Sequence, residues 1–300
     1  MGRRIRIPGL VDLLVIDRPG EILAVADDPA LVRGGPLSGP LLNRWLQGHI
    51  RGALRIGTTP LPSALPREDE ARAAAQRALT DRLNPENAPW DDESLDAIAD
   101  ALCDGPVNLG PLCQQAIGRL FVPEFTASDE TWRAARTIDT AARNLNPLRH
   151  LVWTLTNRIS RAQRTLADAA NGDPSAVHAT GIAVHTFVRC VENLEAVLSD
   201  RNRRRTLSAK AAIGGALAAP KAVLRSCPRD ADTPAGPVAP GTLVLLQLDD
   251  AVSLTSDPRV AFLSESWSFC PAHRLVPAML AEIWFRATGE RPGPVEGDLR

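Results

Sequence analysis

In the stretch SESWSFCPAHRLVPAMLAEIW, Ser264 to Trp284, a single cysteine, Cys270, stands at the mouth of a helical pattern. Pro271 follows it at the position where the first turn of a helix favours proline. Beyond it Leu275, Val276, Met279, Leu280, Ile283 and Trp284 share one apolar face. A thiol just ahead of a helix N-terminus meets the positive end of the macrodipole and unpaired backbone N–H groups, and both favour the thiolate. A thiolate held in that way suits the axial position of a haem iron, its electron donation tuned by the N–H donors. The competing reading is a small apolar residue packed in a core, which is the commoner fate of a lone cysteine. Pro277 removes one helical hydrogen bond, so the helix begins late or kinks there.

Other groupings carry less chemistry. His178 and His185 are seven apart and share a helix face, but no acid stands in register to complete a metal site. Cys270 and His273 make a C-x2-H pair that Cys227 could join, without a fourth ligand. No G-x-S-x-G elbow, Walker-type loop or dinucleotide glycine pattern occurs. The five cysteines show no C-x-x-C spacing, which argues against a disulfide framework and fits a reducing cytoplasm. Lys+Arg 34 against Asp+Glu 35 gives no overall electrostatic case for nucleic acid or for an anionic membrane, so the expected ligand is small and weakly charged. The N-terminal apolar stretch is interrupted by Asp12, Asp17 and Arg18, too short and charged for a signal peptide or a spanning helix. A soluble, cytoplasmic protein is expected.

The elements that must position Cys270 are mostly helical. Leu13 to Ile16 reads as a strand, Arg18-Pro19-Gly20 as a turn, and Glu21 to Ala26 as a second strand or short helix. Residues 34–40 read as a loop. From Leu41 to about Asp168 several segments open on Asp, Glu or Ser and close at Gly, Pro or Asn, as capped helices do. From Pro174 onward Val184, Phe187, Val188, Val191, Leu194 and Leu198 form one stripe of a long central helix. The charged run Asp200 to Arg205 reads as a solvated loop, and Leu243 to Leu248 as a strand entered through Gly241-Thr242. The expectation is one domain over 1–288, mainly α with a small β portion at its two ends, and a disordered tail over 289–300.

On these residues the chain resembles the cytochrome P-450 superfamily of haem-thiolate enzymes over nearly its whole length, as a short, truncated and divergent member. LLVIDRPGEILAVADDPALV is similar to the family's N-terminal strand pair with its DP turn, and GHIRGALRI to the segment whose His and Arg reach a haem propionate. The resemblance therefore implies His49 and Arg51 as cofactor-binding residues. HATGIAVHT, His178 to Thr186, resembles the distal helix that crosses the haem face. In APKAVLRSCPRDADTPAGPVAPGTLVLL the propionate-binding arginine would be Arg225, whose planar guanidinium suits a carboxylate. SESWSFCPAHRLVPAML falls where the cysteine loop belongs, with Cys270 as the metal ligand of haem b.

The departures are equally specific. The family's Phe seven before the ligand and Gly four before it are Leu263 and Ser266, and the Gly two after is Ala272. The Glu-x-x-Arg pair is replaced at its expected positions by Gly214 and Leu217, both partners at once, a change that can be nearly neutral for the fold. The acid-plus-threonine pair of the distal helix is out of register. His185 and Thr186 stand nearest to it and are the candidates for catalysis. The resemblance implies an oxidoreductase of the monooxygenase or peroxygenase type, acting on a small apolar metabolite and served by a redox partner. The alternative is a catalytically silent relative that stabilises a partner biosynthetic enzyme.

Overall fold

The computed structural model describes residues 2–33, 37–105 and 107–290. The first strands, β1 (Arg3–Ile7) and β2 (Val11–Ile16), form an antiparallel hairpin followed by helix α1 (Pro19–Asp27). Pro19 and Gly20, expected in a turn, lie in the first turn of α1, where proline's fixed φ and missing N–H fit. Then come α2 (Leu41–Ala53), the short hairpin β3 (Arg55–Ile56) and β4 (Thr59–Pro60), α3 (Glu70–Arg82), α4 (Asp92–Asp104) and α5 (Leu109–Arg119). Helices α6 (Asp129–Arg143) and α8 (Arg158–Ala169) pack along each other, joined by α7 (Pro147–Leu155).

The expected central helix is built from α9 (Pro174–His178), a π-helical turn over Ala179–Ala183, and α10 (Val184–Ser199). Such a widened turn disturbs the regular i→i−4 ladder and is frequent at functional sites. Gln114 of α5, wholly buried, donates to the Thr180 carbonyl inside this turn at 3.0 Å and accepts from the Thr131 hydroxyl of α6 at 2.8 Å. The run Asp200 to Arg205, expected as a loop, is mostly helix α11 (Arg201–Thr206), because the Asp200 carboxylate caps the Asn202 and Arg203 N–H groups. Next are α12 (Ala209–Ala216), β5 (Val223–Ser226), the hairpin β6 (Ala231–Thr233) and β7 (Gly236–Val238), and β8 (Leu243–Leu246). Helices α13 (Leu248–Thr255), α14 (Pro258–Phe262) and α15 (Leu275–Thr288) complete the described chain.

The main sheet runs β1-β2-β8-β5, with β2 parallel to β8 (Leu13 opposite Leu243) and β5 antiparallel to β8 (Arg225 opposite Val244). Two apolar runs from the two ends of the sequence thus pair, and the helices pack into one large apolar core beside them. A close backbone crossing locks α2 to this sheet. Gly39 (φ 88°) and Gly241 (φ 77°) approach so closely that a Cβ on Gly241 would lie 2.0 Å from the Gly39 Cα. Asn43 of α2, buried beside this crossing, donates to the carbonyls of Asp12 at 2.7 Å and Gly241 at 2.8 Å. Of the expected C-terminal tail, Gly289 caps α15 in the left-handed region (φ 74°), whereas 291–300 lie outside the described residues, as do 34–36 of the expected loop.

Candidate functional site: a cysteine and arginines around one cavity

Cys270 opens into a cavity of about 370 Å³ between the sheet end, α3 and the central helix. The helix after it begins late, as Pro277 suggested. Pro271–His273 is a single 3-10 turn and α15 begins at Leu275, which puts Pro277 in the first turn, where its missing N–H costs nothing. The expected help from a helix macrodipole at Cys270 is therefore absent. Burial pushes the Cys270 thiol up, opposed by a backbone hydrogen bond from Ala272 and by the charge of Arg33. The lost hydration disfavours the thiolate, and a cation bound at the sulfur would offset that cost.

The loop carrying Cys270 is pinned from several sides. Its own N–H donates to the Phe262 carbonyl at 2.8 Å, Gln76 of α3 donates to the Phe269 carbonyl at 3.0 Å, and the Trp267 N–H donates to Asp27 of α1 at 3.1 Å. Ser266, at the family's glycine position, is buried within 3.4 Å of the Ser268 hydroxyl. Leu263, at the phenylalanine position, caps α14 in the left-handed region (φ 49°).

Arg225 is 1% exposed, and its side chain makes one hydrogen bond, to the Ser268 hydroxyl. Its Nε and Nη1 are buried without a partner, and burial, reinforced by Arg33 and Arg72, holds its pKa well below the ordinary arginine value. Trp267 lies against this group, with the Arg72 guanidinium 4.6 Å and the Arg225 guanidinium 5.3 Å from its ring centre. Arg33, Arg51 and Arg72 also line the cavity. Burial, with Arg72 nearby, pushes Arg33 down to about 9. Several guanidiniums facing one space, without a carboxylate among them, form a receptor for a dianion.

The opposite wall is the central helix, through His178, Ala179, Ile182, Ala183, Thr186 and Phe187. Burial pushes His178 down to about 4, with Arg33, Arg143 and Arg72 adding to the effect, so its imidazole is uncharged at neutral pH. Of the residues singled out from sequence, Cys270, Arg225, Arg51 and Thr186 meet at this cavity, whereas His49 and His185 do not. On α2, residues two apart point roughly opposite ways, which turns His49 away from the wall that holds Arg51. His49 lies against Trp45, ring centres 3.8 Å apart, and lines a second depression between α2 and α8. His185 faces α6, its ring 4.7 Å from Trp132. Arg33 and Arg72 were missed, although Arg72, Gln76, Leu79 and Leu83 fall at i, i+4, i+7 and i+11 on one helix face, and His178, weighed only as a metal ligand on a face shared with His185, lines the cavity without it. Cys227 and His273 make their own backbone contacts, and no set of three metal-ligating side chains gathers among the described residues.

This architecture is the cytochrome P450-like fold: mainly helical, with a long helix and a cysteine loop facing each other across a cavity. The chain is similar to a 6-coordinated cytochrome P450 from Thermus thermophilus, with TM-score 0.58 and 16% identity over 92% of this chain and 84% of that one. It is likewise similar to CYP154C4 from Streptomyces sp. W2061, with TM-score 0.59 and 13% identity over 95% and 84% of the two chains. No family model matches the chain, and no curated protein matches its sequence. The likeness is therefore one of fold.

Proposed function

We propose that the protein is a haem-thiolate oxidoreductase acting on a small apolar molecule. The observation that carries this reading is the convergence on one cavity of the Cys270 sulfur and a buried Arg225 whose Nε and Nη1 have no partner among the described residues. A buried guanidinium left short of acceptors is costly, and a carboxylate-bearing ligand removes that cost. A haem meets both demands, with iron for the sulfur and two propionates for the arginines, so the residues present fit it.

Haem b, when bound, would supply the oxidising chemistry, using dioxygen with a redox partner or peroxide alone. The side chains divide the remaining work. Cys270 would hold the iron through its thiolate, with the Ala272 N–H as a donor to sulfur. Arg225, Arg33, Arg72 and Arg51 would bind its carboxylates. Ile182, Ala183 and Phe187 exclude water and hold an apolar substrate, with the Thr186 hydroxyl and the uncharged His178 as polar groups on the same wall.

A non-catalytic helper of a partner enzyme draws support from α12, where open space surrounds Gly214 at the position of the missing glutamate. It leaves Arg225 unexplained. The test is a spectrum of purified protein after haem loading. A Soret band that moves strongly to the red on reduction under carbon monoxide, and that Cys270→Ala abolishes, supports the reading. A protein that stays colourless while a partner enzyme gains stability in its presence supports the helper.

A further inference from the structure

Five guanidiniums line the cavity, those of Arg33, Arg51, Arg72, Arg143 and Arg225, and no Asp or Glu stands among the described lining residues. The haem reading sets two carboxylates against four of them and leaves Arg143 unassigned. Its ion partner is Asp139, one turn earlier on α6, which accepts from the Arg143 Nε at 2.6 Å. Even with that carboxylate and two propionates counted, the walls carry more positive charge than negative. The sulfur does not close the gap, because a ferric porphyrin carries one positive charge that a thiolate cancels. A confined surplus of cations is costly, and an anion bound with the substrate removes that cost.

The surroundings of Arg143 define the kind of anion. Asp139 holds the guanidinium by Nε, and Nη1 and Nη2 have no hydrogen-bond partner among the described residues. Close by, α9 presents Ser175 and His178, at i and i+3 on one helix face, and both line the cavity. Neither the Ser175 hydroxyl nor the His178 ring makes a hydrogen bond among the described residues. The His178 imidazole lies in the field of Arg143 and is uncharged, so it has one N–H to donate. A planar fork, a hydroxyl and an imidazole N–H bordering one corner make a donor set for a carboxylate. Asp139 offsets part of the Arg143 charge, which suits a single negative charge better than the two of a phosphate monoester.

From this corner the central helix lines the cavity with Ala179, Ile182, Ala183 and Phe187 on the way to Thr186. His178 and Thr186 stand about 12 Å apart along the axis, the reach of an extended chain of roughly ten carbons. The wall between them is apolar, so it accepts methylenes and rejects a second charge. We propose that Arg143, with Ser175 and His178, binds the carboxylate of an amphipathic substrate whose apolar body, about ten carbons long, lies along the central helix toward Thr186. The proposal rests on the haem reading and narrows its substrate from any small apolar molecule to one with an anionic end.

The experiment is a titration of the haem-loaded protein with decanoate and, separately, with 1-decanol, followed by equilibrium dialysis and by the Soret band. The two probes share a chain and differ in charge. Decanoate should bind at least about tenfold more tightly, a preference that salt weakens. Arg143→Gln should lower decanoate affinity at least about tenfold and leave decanol and haem affinity unchanged, since the Arg143 side chain is 23% exposed and its Asp139 contact joins neighbours on one helix. Arg143→Lys, which keeps the charge and loses the fork, should retain part of the preference. Ser175→Ala should lower decanoate affinity about threefold with decanol unmoved, and it decides the matter if Arg143→Gln takes up no haem. Equal affinity for the two probes, undiminished decanoate binding by the variants, or equal loss of both probes overturns the proposal and leaves the haem reading standing. A parent protein that takes up no haem overturns both.

Discussion

Replacing Arg225 by Met should move the stability of the haem-free protein and its hold on haem in opposite directions. In the haem-free chain the guanidinium is fully buried, makes one side-chain hydrogen bond, and leaves Nε and Nη1 unsatisfied. Relieving a buried, under-paired cation returns several kcal/mol, on the order of 4 to 6. Against this stand the lost bond to Ser268, roughly 1.5 to 3 kcal/mol, and the lost stacking on Trp267, about 1. The net is a stabilisation of about 2 kcal/mol, or roughly 3 °C in melting temperature for a chain of this size. Methionine fills similar volume without polar demand, so little is lost to a cavity. Haem affinity should fall at least tenfold, because a charge-assisted contact to a propionate is gone. The assays are thermal melts of haem-free protein and a haem titration followed by absorbance. A haem-free variant that melts lower than the parent would show that Arg225 is satisfied within the protein, and the argument from its unpaired atoms would collapse.

Gly241→Ala should cost about 2 to 4 kcal/mol, read as a lower urea midpoint at unchanged slope, because its φ of 77° and its 2.0 Å approach to the Gly39 backbone leave no room for a Cβ. Gln114→Leu should cost about 2 to 3 kcal/mol, since it removes the donor shared by the Thr131 and Thr180 carbonyls and one partner of the Thr131 hydroxyl at once, whereas Gln114→Glu should restore part of this at low pH. His178, held down to about 4 when folded against roughly 6.5 unfolded, binds its proton more readily in the unfolded chain. Stability of the haem-free protein should therefore decline as pH falls from roughly 6.5 toward about 4, by up to about 3 kcal/mol. His178→Asn should flatten that part of a pH series of urea melts.

The parts legible in the sequence were those whose signal is local. Cys270 and Arg225 stand in motifs with fixed neighbours, and both reach the cavity. The runs at Leu13 and Leu243 were visible as strands, though that they pair with each other is a matter of packing. Long-range assembly hid the rest: Arg33 follows Val32, which makes an isolated bridge to Ser226, and Arg72 reaches the cavity from a helix whose sequence looks solvated. At Cys270 the proline was read as the start of a long helix, yet the chain spends it on one 3-10 turn, so the expected dipole lies too far along to act on sulfur.

The parallel pairing of Leu13 with Leu243 also governs when the pocket can exist. A nascent chain emerging from the ribosome carries Arg33 early, but the strand that Val32 bridges appears only near Ser226, and the sulfur later still. The walls are therefore assembled late in synthesis, and the ring closure that joins them, spanning most of the polypeptide, is expected to be the slow step of maturation.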